Sequence, residues 1–360
     1  MKSKVIFGLA LSIALAKSPS AQAWGDLGHQ IVGAVAEARM LPETRDFVRG
    51  ILGIEPVAIA ANWPDHVRDD ARFSHKDSDF APFHFSEIPT GFSFTTRLTK
   101  NAKDAYSALI GASKILVQGS GATNEEKLIA LRYLIHVVGD IHQPLHVGNG
   151  FDRGGNECHI KLKPKTKPEN LHKLWDTNLV LKLGDTYKNP ENGKSPRYYP
   201  QFISAMKMKA STKFNAEKLV FETKDDASFS ADFSKSLIGW LDQSAKYRET
   251  IYPDDLNGNP EAYKMRNYCR WYIDQEKGTL SDTSATSIKD ADAKLLPTDY
   301  VTKNVPLVES RLIDGGLHLA AVLDAIAIRA KANNANQNLI TDEKQDAILK
   351  RLLLEMKYHD

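Results

Sequence analysis

The sequence predicts a mainly α-helical protein organised as a single domain, and two observations carry this prediction. Long stretches place apolar residues three and four positions apart, which is the spacing of one face of a helix. Strand-like stretches do not alternate with these helical stretches, as a parallel sheet would require. The exception lies near residues 148–163, where a glycine-rich segment and a short alternating pattern predict a loop followed by a short β element.

Six stretches have the helical spacing. The stretch TNEEKLIALRYLIHVVGDIH begins with a capping box from Thr123 to Glu126, and Pro144 should end it. In NLHKLWDTNLVLKL, Asn170 is the predicted N-cap. The other four stretches are DLGHQIVGAVAEARML, AKDAYSALIGASKILVQ, FSKSLIGWLDQSAKYRETIY and PLVESRLIDGGLHLAAVLDAIAIRAK.

The first 23 residues predict a secretory signal peptide. Two lysines precede a short apolar run, and the triplet Ala-Gln-Ala that ends at Ala23 is typical of a cleavage site. The apolar run is too short to cross a bilayer as a helix. We therefore expect a secreted or periplasmic protein that begins at Trp24 and has no membrane anchor.

After the leader, we expect one domain over residues 24–330, since no change in composition divides this range. Residues 281–292 are rich in Ser, Thr and Asp and predict a loop. Residues 331–360 predict a polar linker, up to residue 342, followed by a short C-terminal helix. The expected oligomeric state is a monomer.

The charge balance limits how this protein could bind a polyanion. The chain has 47 basic and 45 acidic residues, and the leader accounts for three lysines and no acid, which leaves 44 against 45. A protein that binds nucleic acid through side-chain charge alone should be strongly basic. If this chain binds nucleic acid, another group must neutralise the phosphate.

The chain contains two cysteines, Cys158 and Cys269. In an oxidising compartment an even pair is a candidate disulfide. Two separate buried thiols are the alternative. Mass spectrometry of unreduced peptides distinguishes these possibilities.

Some of the 11 histidines have the spacing of metal ligands. His136 and Asp140 lie four residues apart on a predicted helix and therefore share one face, and His172 and Asp176 repeat this spacing. His146 follows after the predicted helix break. Imidazole and carboxylate ligands without thiolate suit zinc in a catalytic site.

The motifs HVVGDIHQPLH, GGN and NLHKLWD, with WGDLGH at the mature start, NWPD and FHF, resemble the zinc-dependent class I nucleases of the mung bean nuclease type. The resemblance continues more loosely through WLDQS and GGLHLAAVLD and extends to about Ala330. It implies a helical fold shared with bacterial phospholipase C, and three Zn²⁺ ions per chain. The implied ligands are Trp24, His29, Asp65, His84, His136, Asp140, His146, His172 and Asp176.

The resemblance also implies how these ligands divide and act. A hydroxide shared by two close zinc ions would attack phosphorus in line, with Asp65 and Asp140 as the catalytic carboxylates. The metals would supply the positive charge that the lysines do not. One ion would take Asp65, His84, His136 and Asp140, a second His146, His172 and Asp176, and a third Trp24, His29 and again Asp140.

Signal cleavage would contribute to the third ion's site. It would free the Trp24 amino group, whose pKa of about 8 lets a metal displace its proton. This nitrogen and the Trp24 carbonyl oxygen can chelate one zinc, with His29 as a further ligand. A peptide nitrogen in the uncleaved precursor could not do so.

Substrate contacts follow from the same resemblance. Arg68 would contact phosphate, or be a solvated surface arginine, and Asn156 would face the site or only shape its loop. Phe85 and Glu87 would contact a base, and stacking on an aromatic ring tolerates any base. We assign His142 and Asp152 at most supporting roles beside the ligands.

The resemblance implies an exported phosphodiesterase that hydrolyses single-stranded DNA and RNA to 5′-phosphates and has 3′-nucleotidase activity. A zinc-dependent phospholipase C is the first alternative. Two features argue against it. Those enzymes typically have glutamate where Asp176 stands, and their first histidine lies farther from the N-terminal tryptophan than His29 lies from Trp24. A zinc-scavenging protein is a second alternative, but sharing Asp140 between two ions serves no storage purpose.

Overall fold

The computed structural model describes residues 24–67, 81–97, 103–118, 121–149, 152–187, 200–216, 219–252, 273–274, 279–280 and 293–333. The predicted signal peptide, the predicted loop at 281–292 and nearly all of the predicted C-terminal segment lie outside these residues. No helix among the described residues is long and apolar enough to cross a membrane.

The described residues form a mainly α-helical fold, as the sequence predicts. Turns of other pitch connect some of the helices: 3₁₀ turns at Ala81–His84 and Pro144–His146, and a π-helical turn at Leu174–Asn178. The α-helices are α1 (Asp26–Arg39), α2 (Pro42–Leu52), α3 (Val57–Ala60), α4 (Trp63–Val67), α5 (Ala105–Val117), α6 (Asn124–Asp140), α7 (Leu171–Lys173), α8 (Leu179–Asp185), α9 (Pro200–Ala216), α10 (Asp226–Ile251) and α11 (Tyr300–Ala332).

The strands of the described residues are two or three residues long. β1 pairs with β2 in parallel, with Ser86 opposite Val147. β3 lies between β4, which is antiparallel to it, and β7, which is parallel, whereas β5 and β6 form an antiparallel pair. The strands are β1 (Ser86–Glu87), β2 (Val147–Gly148), β3 (His159–Lys161), β4 (Glu169–Asn170), β5 (Ile273–Asp274), β6 (Thr279–Leu280) and β7 (Lys294–Leu295).

The β element predicted near residues 148–163 is confirmed by β2 and β3. In β3, Ile160 is fully buried between two partly exposed neighbours, as the alternating pattern requires. α11 ends at Ala332 and so includes the first two residues of the predicted C-terminal linker.

The predicted capping box sets the start of α6. The Thr123 hydroxyl accepts from the backbone N–H of Glu126 at 3.2 Å, and the Glu126 carboxylate accepts from the Thr123 N–H at 2.7 Å. Each bond satisfies a backbone donor that the first helical turn leaves unpaired. α6 ends at Asp140, shortly before Pro144. The helix therefore presents His136 and Asp140 in its last two turns.

Glycines allow α1 to pack closely against its neighbours. A Cβ atom at Gly316 of α11 would lie 2.5 Å from the Val35 side chain of α1, and one at Gly33 of α1 would lie 2.8 Å from the Val57 carbonyl oxygen. These distances are shorter than side-chain contacts permit, so the backbones meet directly. The close packing fixes α1, whose first turns carry His29, against the core.

Candidate metal centre

Eight of the nine predicted ligands converge in the structure. Within the described residues, three groups of buried histidine and aspartate side chains place their ligand atoms within 4.8 Å of one another. These groups are His29 with Asp65 and His136, His84 with His136 and Asp140, and His146 with His172 and Asp176.

Asp140 lies at the centre of the larger cluster. Its Oδ1 atom is 3.3 Å from Nε2 of His29, and its Oδ2 atom is 3.3 Å from Nδ1 of His84 and from Nε2 of His136. Asp65 lies opposite, with Oδ1 at 3.8 Å from the same two nitrogens of His84 and His136. The predicted helix spacing thus brings His136 and Asp140 to one point, where α1, α4 and the Ala81–His84 turn supply the other side chains.

The second cluster forms where α7 continues into the π-helical turn. Nε2 of His172 lies 3.0 Å from Oδ2 of Asp176, and Nε2 of His146 lies 3.9 Å from Oδ1 of Asp176. The predicted N-cap is confirmed here, since the Asn170 side chain accepts from the backbone N–H of Lys173 at 2.6 Å. The cap therefore fixes the first turn of the element that carries His172.

The unpaired atoms of both clusters fit zinc. Both Asp140 oxygens, Oδ1 of Asp65, both His29 nitrogens and Nε2 of His146 and His172 are buried without a hydrogen-bond partner. Each such atom costs about 1–3 kcal/mol unless a cation or donor satisfies it. Zinc–ligand distances of about 2.0–2.2 Å place neighbouring tetrahedral ligands roughly 3.3–3.6 Å apart, close to the observed spacings.

Three of the histidines are oriented through their second ring nitrogen. In each, Nδ1 hydrogen-bonds a backbone carbonyl, so Nε2 keeps its lone pair for a metal when the ring is neutral. The carbonyls come from three separate segments, which ties each ligand to a neighbouring element. The bonds join His136 to Ala61 at 2.6 Å, His146 to His84 at 2.8 Å and His172 to Gly154 at 2.6 Å.

The charges of the larger cluster favour cation binding. Burial alone would raise the pKa of the Asp140 carboxyl, but His136 and His146 hold it well below its usual range. Burial and His136 lower the pKa of His29, which therefore stays in the neutral form that binds a metal. Burial opposes ionisation of His136, yet Asp140 and Asp65 raise its pKa to about 9. Zinc binding at His136 would therefore be coupled to release of a proton from its ring.

The GGN motif shapes the loop beside the second cluster. Gly154 has a positive φ of 63°, and a Cβ atom there would lie 2.3 Å from the Leu145 carbonyl oxygen. Only glycine fits this position, and its carbonyl oxygen orients His172. The Asn156 side chain donates to the Arg153 carbonyl oxygen at 2.8 Å, which stabilises the loop.

Trp24, the ninth predicted ligand, is fully buried beside both clusters. Its indole N–H donates to the Gly139 carbonyl oxygen at 3.0 Å, one residue before Asp140. The Gly25 N–H donates to the Asp176 carbonyl oxygen at 2.9 Å. Trp24 is thus held at the peptide before Asp140 by its indole and at the Asp176 carbonyl oxygen by the N–H of the next residue.

The structure describes three of the four predicted substrate contacts, and Arg68 lies outside the described residues. Phe85 is 37 % exposed directly after His84. Glu87 is partly buried, and burial raises the pKa of its carboxyl while the charge of Arg97 opposes this rise. Asn156 is engaged within its own loop, and its contact with substrate stays a prediction, as do those of Phe85 and Glu87.

Gln143 is a residue of the site that sequence reasoning missed. Its side-chain N–H donates to Oδ1 of Asp176 at 2.6 Å, and its Oε1 accepts from the Leu145 N–H at 2.6 Å. It therefore links the turn that carries His146 to the carboxylate of the second cluster. The sequence signal that could have identified it is its position in GDIHQPLH, between the predicted ligands Asp140 and His146.

His142 and Asp152 lie near the clusters but bond elsewhere. His142 hydrogen-bonds the Val138 carbonyl oxygen at 2.6 Å and His318 at 2.7 Å. The Asp152 carboxylate accepts from the Tyr252 hydroxyl at 2.5 Å. Both residues brace segments beside the ligands, which is consistent with the predicted supporting roles.

Cys158 is fully buried and disulfide-bonded. Cys269 lies outside the described residues. The pairing of these two cysteines therefore stays a prediction from the sequence.

Comparisons with known proteins show the family to which this chain belongs. The model of the S1/P1 nuclease family matches residues 24–328. Nuclease S1 of Aspergillus oryzae is 32 % identical over 315 residues, which are 84 % of this chain and 92 % of that protein. Endonuclease 4 of Arabidopsis thaliana is 26 % identical over 84 % of this chain and 89 % of its own length, and nuclease P1 of Penicillium citrinum is 30 % identical over 44 % and 59 %. The chain therefore belongs to the S1/P1 nuclease family of zinc-dependent endonucleases.

Proposed function

We propose that this chain is an exported nuclease that hydrolyses single-stranded DNA and RNA to 5′-phosphates and also removes the phosphate of 3′-nucleotides. The observation that carries the proposal is the set of buried, unpaired ligand atoms around Asp140 and Asp176. The exposed Phe85 directly follows the predicted ligand His84. Membership of a nuclease family supports the substrate class.

The proposed cofactor is three Zn²⁺ ions per chain. Asp65, His84, His136 and Asp140 would hold one ion, the second cluster another, and Trp24, His29 and Asp140 the third. Bound zinc would activate water, neutralise the phosphate and stabilise the leaving 3′-oxygen. The ions would supply positive charge where the side chains do not, since removal of the leader would leave 44 basic residues against 45 acidic ones.

The protein's own groups keep this centre in a fixed geometry. The carbonyls of Ala61, His84 and Gly154 orient three imidazoles, and Gln143 orients Asp176. Because these groups are already oriented, they need not reorganise during the reaction. Such preorganisation is the main source of electrostatic catalysis.

The substrate would be held by contacts outside the clusters. Phe85 would stack on a base, Glu87 would hydrogen-bond it, and Arg68 and Asn156 would contact the phosphate backbone. Stacking requires a base that can leave its duplex partner, so it favours single strands. Secretion would follow cleavage after Ala23, and an oxidising compartment would support pairing of Cys158 with Cys269.

The experiment that tests the function uses the mature protein with zinc. It should hydrolyse single-stranded DNA and RNA, release inorganic phosphate from a 3′-nucleotide and leave the 5′-nucleotide intact. Zinc analysis should give about three ions per chain, and excess chelator should abolish hydrolysis. Release of phosphocholine from a lipid without nucleotide hydrolysis would identify a phospholipase C instead. Full activity in excess chelator would contradict the metal mechanism.

A further inference from the structure

The segment from Phe85 to Ile88 is held by donors from three other parts of the chain. The Phe85 carbonyl oxygen accepts from the Ala105 N–H at 2.9 Å, at the start of α5. The Glu87 carbonyl oxygen accepts from Arg97 at 3.3 Å, and the Ile88 carbonyl oxygen from Arg248 at 2.8 Å. The segment also pairs with β2, where the Ile88 N–H donates to the Gly148 carbonyl oxygen at 2.8 Å, and the three donors add to a strand pair of only two residues.

Arg97 is itself held firmly. Its guanidinium donates to Oδ2 of Asp104 at 2.9 Å, lies 3.7 Å over the centre of the Phe94 ring, and is only 7 % exposed. Asp104 is fixed in turn, because it caps α5 and accepts from the Ser86 hydroxyl at 3.0 Å. Arg97 therefore connects the cap of a helix to two consecutive residues of the segment, Ser86 through Asp104 and Glu87 directly.

The charge of Arg97 also acts on the Glu87 side chain. Burial raises the pKa of that carboxyl, and Arg97 is the cation that opposes the rise. The same guanidinium thus holds the Glu87 backbone and biases its side chain towards the ionised form. An ionised carboxylate accepts hydrogen bonds only, whereas a protonated one also donates.

We propose that Arg97 is a positioning residue for base recognition, which fixes the Phe85–Glu87 segment and so sets the part of substrate affinity that depends on the base. This inference rests on the proposed function, because it takes Phe85 and Glu87 as the base contacts. Arg97 is not among the metal ligands, and its contacts are with Glu87, Asp104 and Phe94.

The test compares two substrates that share one phosphodiester, a deoxydinucleotide and its counterpart without bases. In Arg97→Met, KM for the dinucleotide should rise roughly tenfold, within the range set by base stacking, while kcat stays within about twofold. KM for the abasic substrate and the zinc content should not change. Arg97→Lys keeps the charge without the planar fork and should give a smaller rise. Arg49→Met, on α2 and 72 % exposed, is the matched control and should behave as wild type.

Other outcomes are equally decisive. An equal rise in KM for both substrates, or loss of zinc, would show that Arg97 supports the whole centre and would overturn the proposal. An unchanged KM for the dinucleotide would overturn it as well. If Arg97→Met does not fold, Arg97→Lys tests the proposal instead. Its KM for the dinucleotide should rise relative to its KM for the abasic substrate. If wild type cleaves neither substrate, the proposed function itself is wrong.

Discussion

Two parts of the metal centre are built differently. The imidazoles of His136, His146 and His172 each hydrogen-bond a backbone carbonyl through Nδ1. His29, five residues after Trp24, has no backbone carbonyl as a partner for either ring nitrogen, and its Nε2 atom lies 3.3 Å from Oδ1 of Asp140. It is held by stacking on His136, with ring centres 3.9 Å apart, and a Cβ atom at Gly139 would lie 3.0 Å from its Nδ1.

The difference separates two parts of the centre. The interior part contains His136, His146 and His172, which the fold orients, and the N-terminal part contains Trp24 and His29. In the interior part these three imidazoles are directed before any ion binds, which lowers the cost of binding. In the N-terminal part the ring is placed by packing on His136 and by Asp140, which is itself a ligand, and no group outside the ligand set directs it. We expect the interior part to bind zinc more tightly than the N-terminal part.

Asp140 belongs to both parts, so its replacement should have the largest effect. In Asp140→Asn a neutral amide replaces two anionic oxygens that lie 3.3 Å from His29, His84 and His136. We expect kcat/KM to fall on the order of 1,000-fold, with loss of zinc. Asp46→Asn, at an aspartate that is 79 % exposed, should leave both unchanged. More than a tenth of wild-type activity in Asp140→Asn would refute a shared role.

An added N-terminal residue should affect the N-terminal part alone. A mature form that keeps Ala23 has a peptide nitrogen where Trp24 would have an amine. We expect one zinc fewer per chain and a loss of activity of roughly 100-fold, with the interior ions retained. Zinc analysis on protein whose N-terminus is verified by Edman sequencing checks this. Three ions and full activity with Ala23 in place would remove the distinction between the two parts.

The smallest effect is expected from a change confined to the interior part. Gln143→Glu replaces the N–H that donates to Asp176 with a carboxylate that repels it. We expect zinc affinity in the second cluster to fall about tenfold, as for other partners of metal ligands. Competition with a chelator measures this, and Gln118→Glu on the exposed end of α5 is the control. An equal loss of zinc affinity at all the sites would show that the centre acts as one unit.

Spacing along the chain suggested His136, Asp140, His146, His172 and Asp176 as ligands, whereas the rest of the predicted set came from the resemblance to a nuclease family. His136 and Asp140 lie one helical turn apart, and the capping box and the Asn170 cap mark where their elements begin. These features depend on neighbours within four residues, so helix geometry alone predicts them.

The supporting contacts could not be predicted in the same way. Gln143 reaches a carboxylate 33 residues away, and Gly154 orients a histidine 18 residues away through a loop with positive φ. The sequence predicted that the last long helix begins at Pro306. In the structure α11 begins at Tyr300, so Pro306 lies in its interior. The Tyr300 hydroxyl donates to the Ile251 carbonyl oxygen and accepts from Trp175, and these contacts hold the first turn in place despite the proline.

The π-helical turn at Leu174–Asn178 has an evolutionary consequence. A π turn is a helix into which one residue has been inserted, and this one lies between His172 and the buried face of α8, which includes Leu179 and Leu183. Deleting one residue after Asp176 would rotate that face by about 100° relative to the ligands. The ligand pair and the core beneath it could then not both be kept. Length changes in this segment should therefore be selected against more strongly than substitutions.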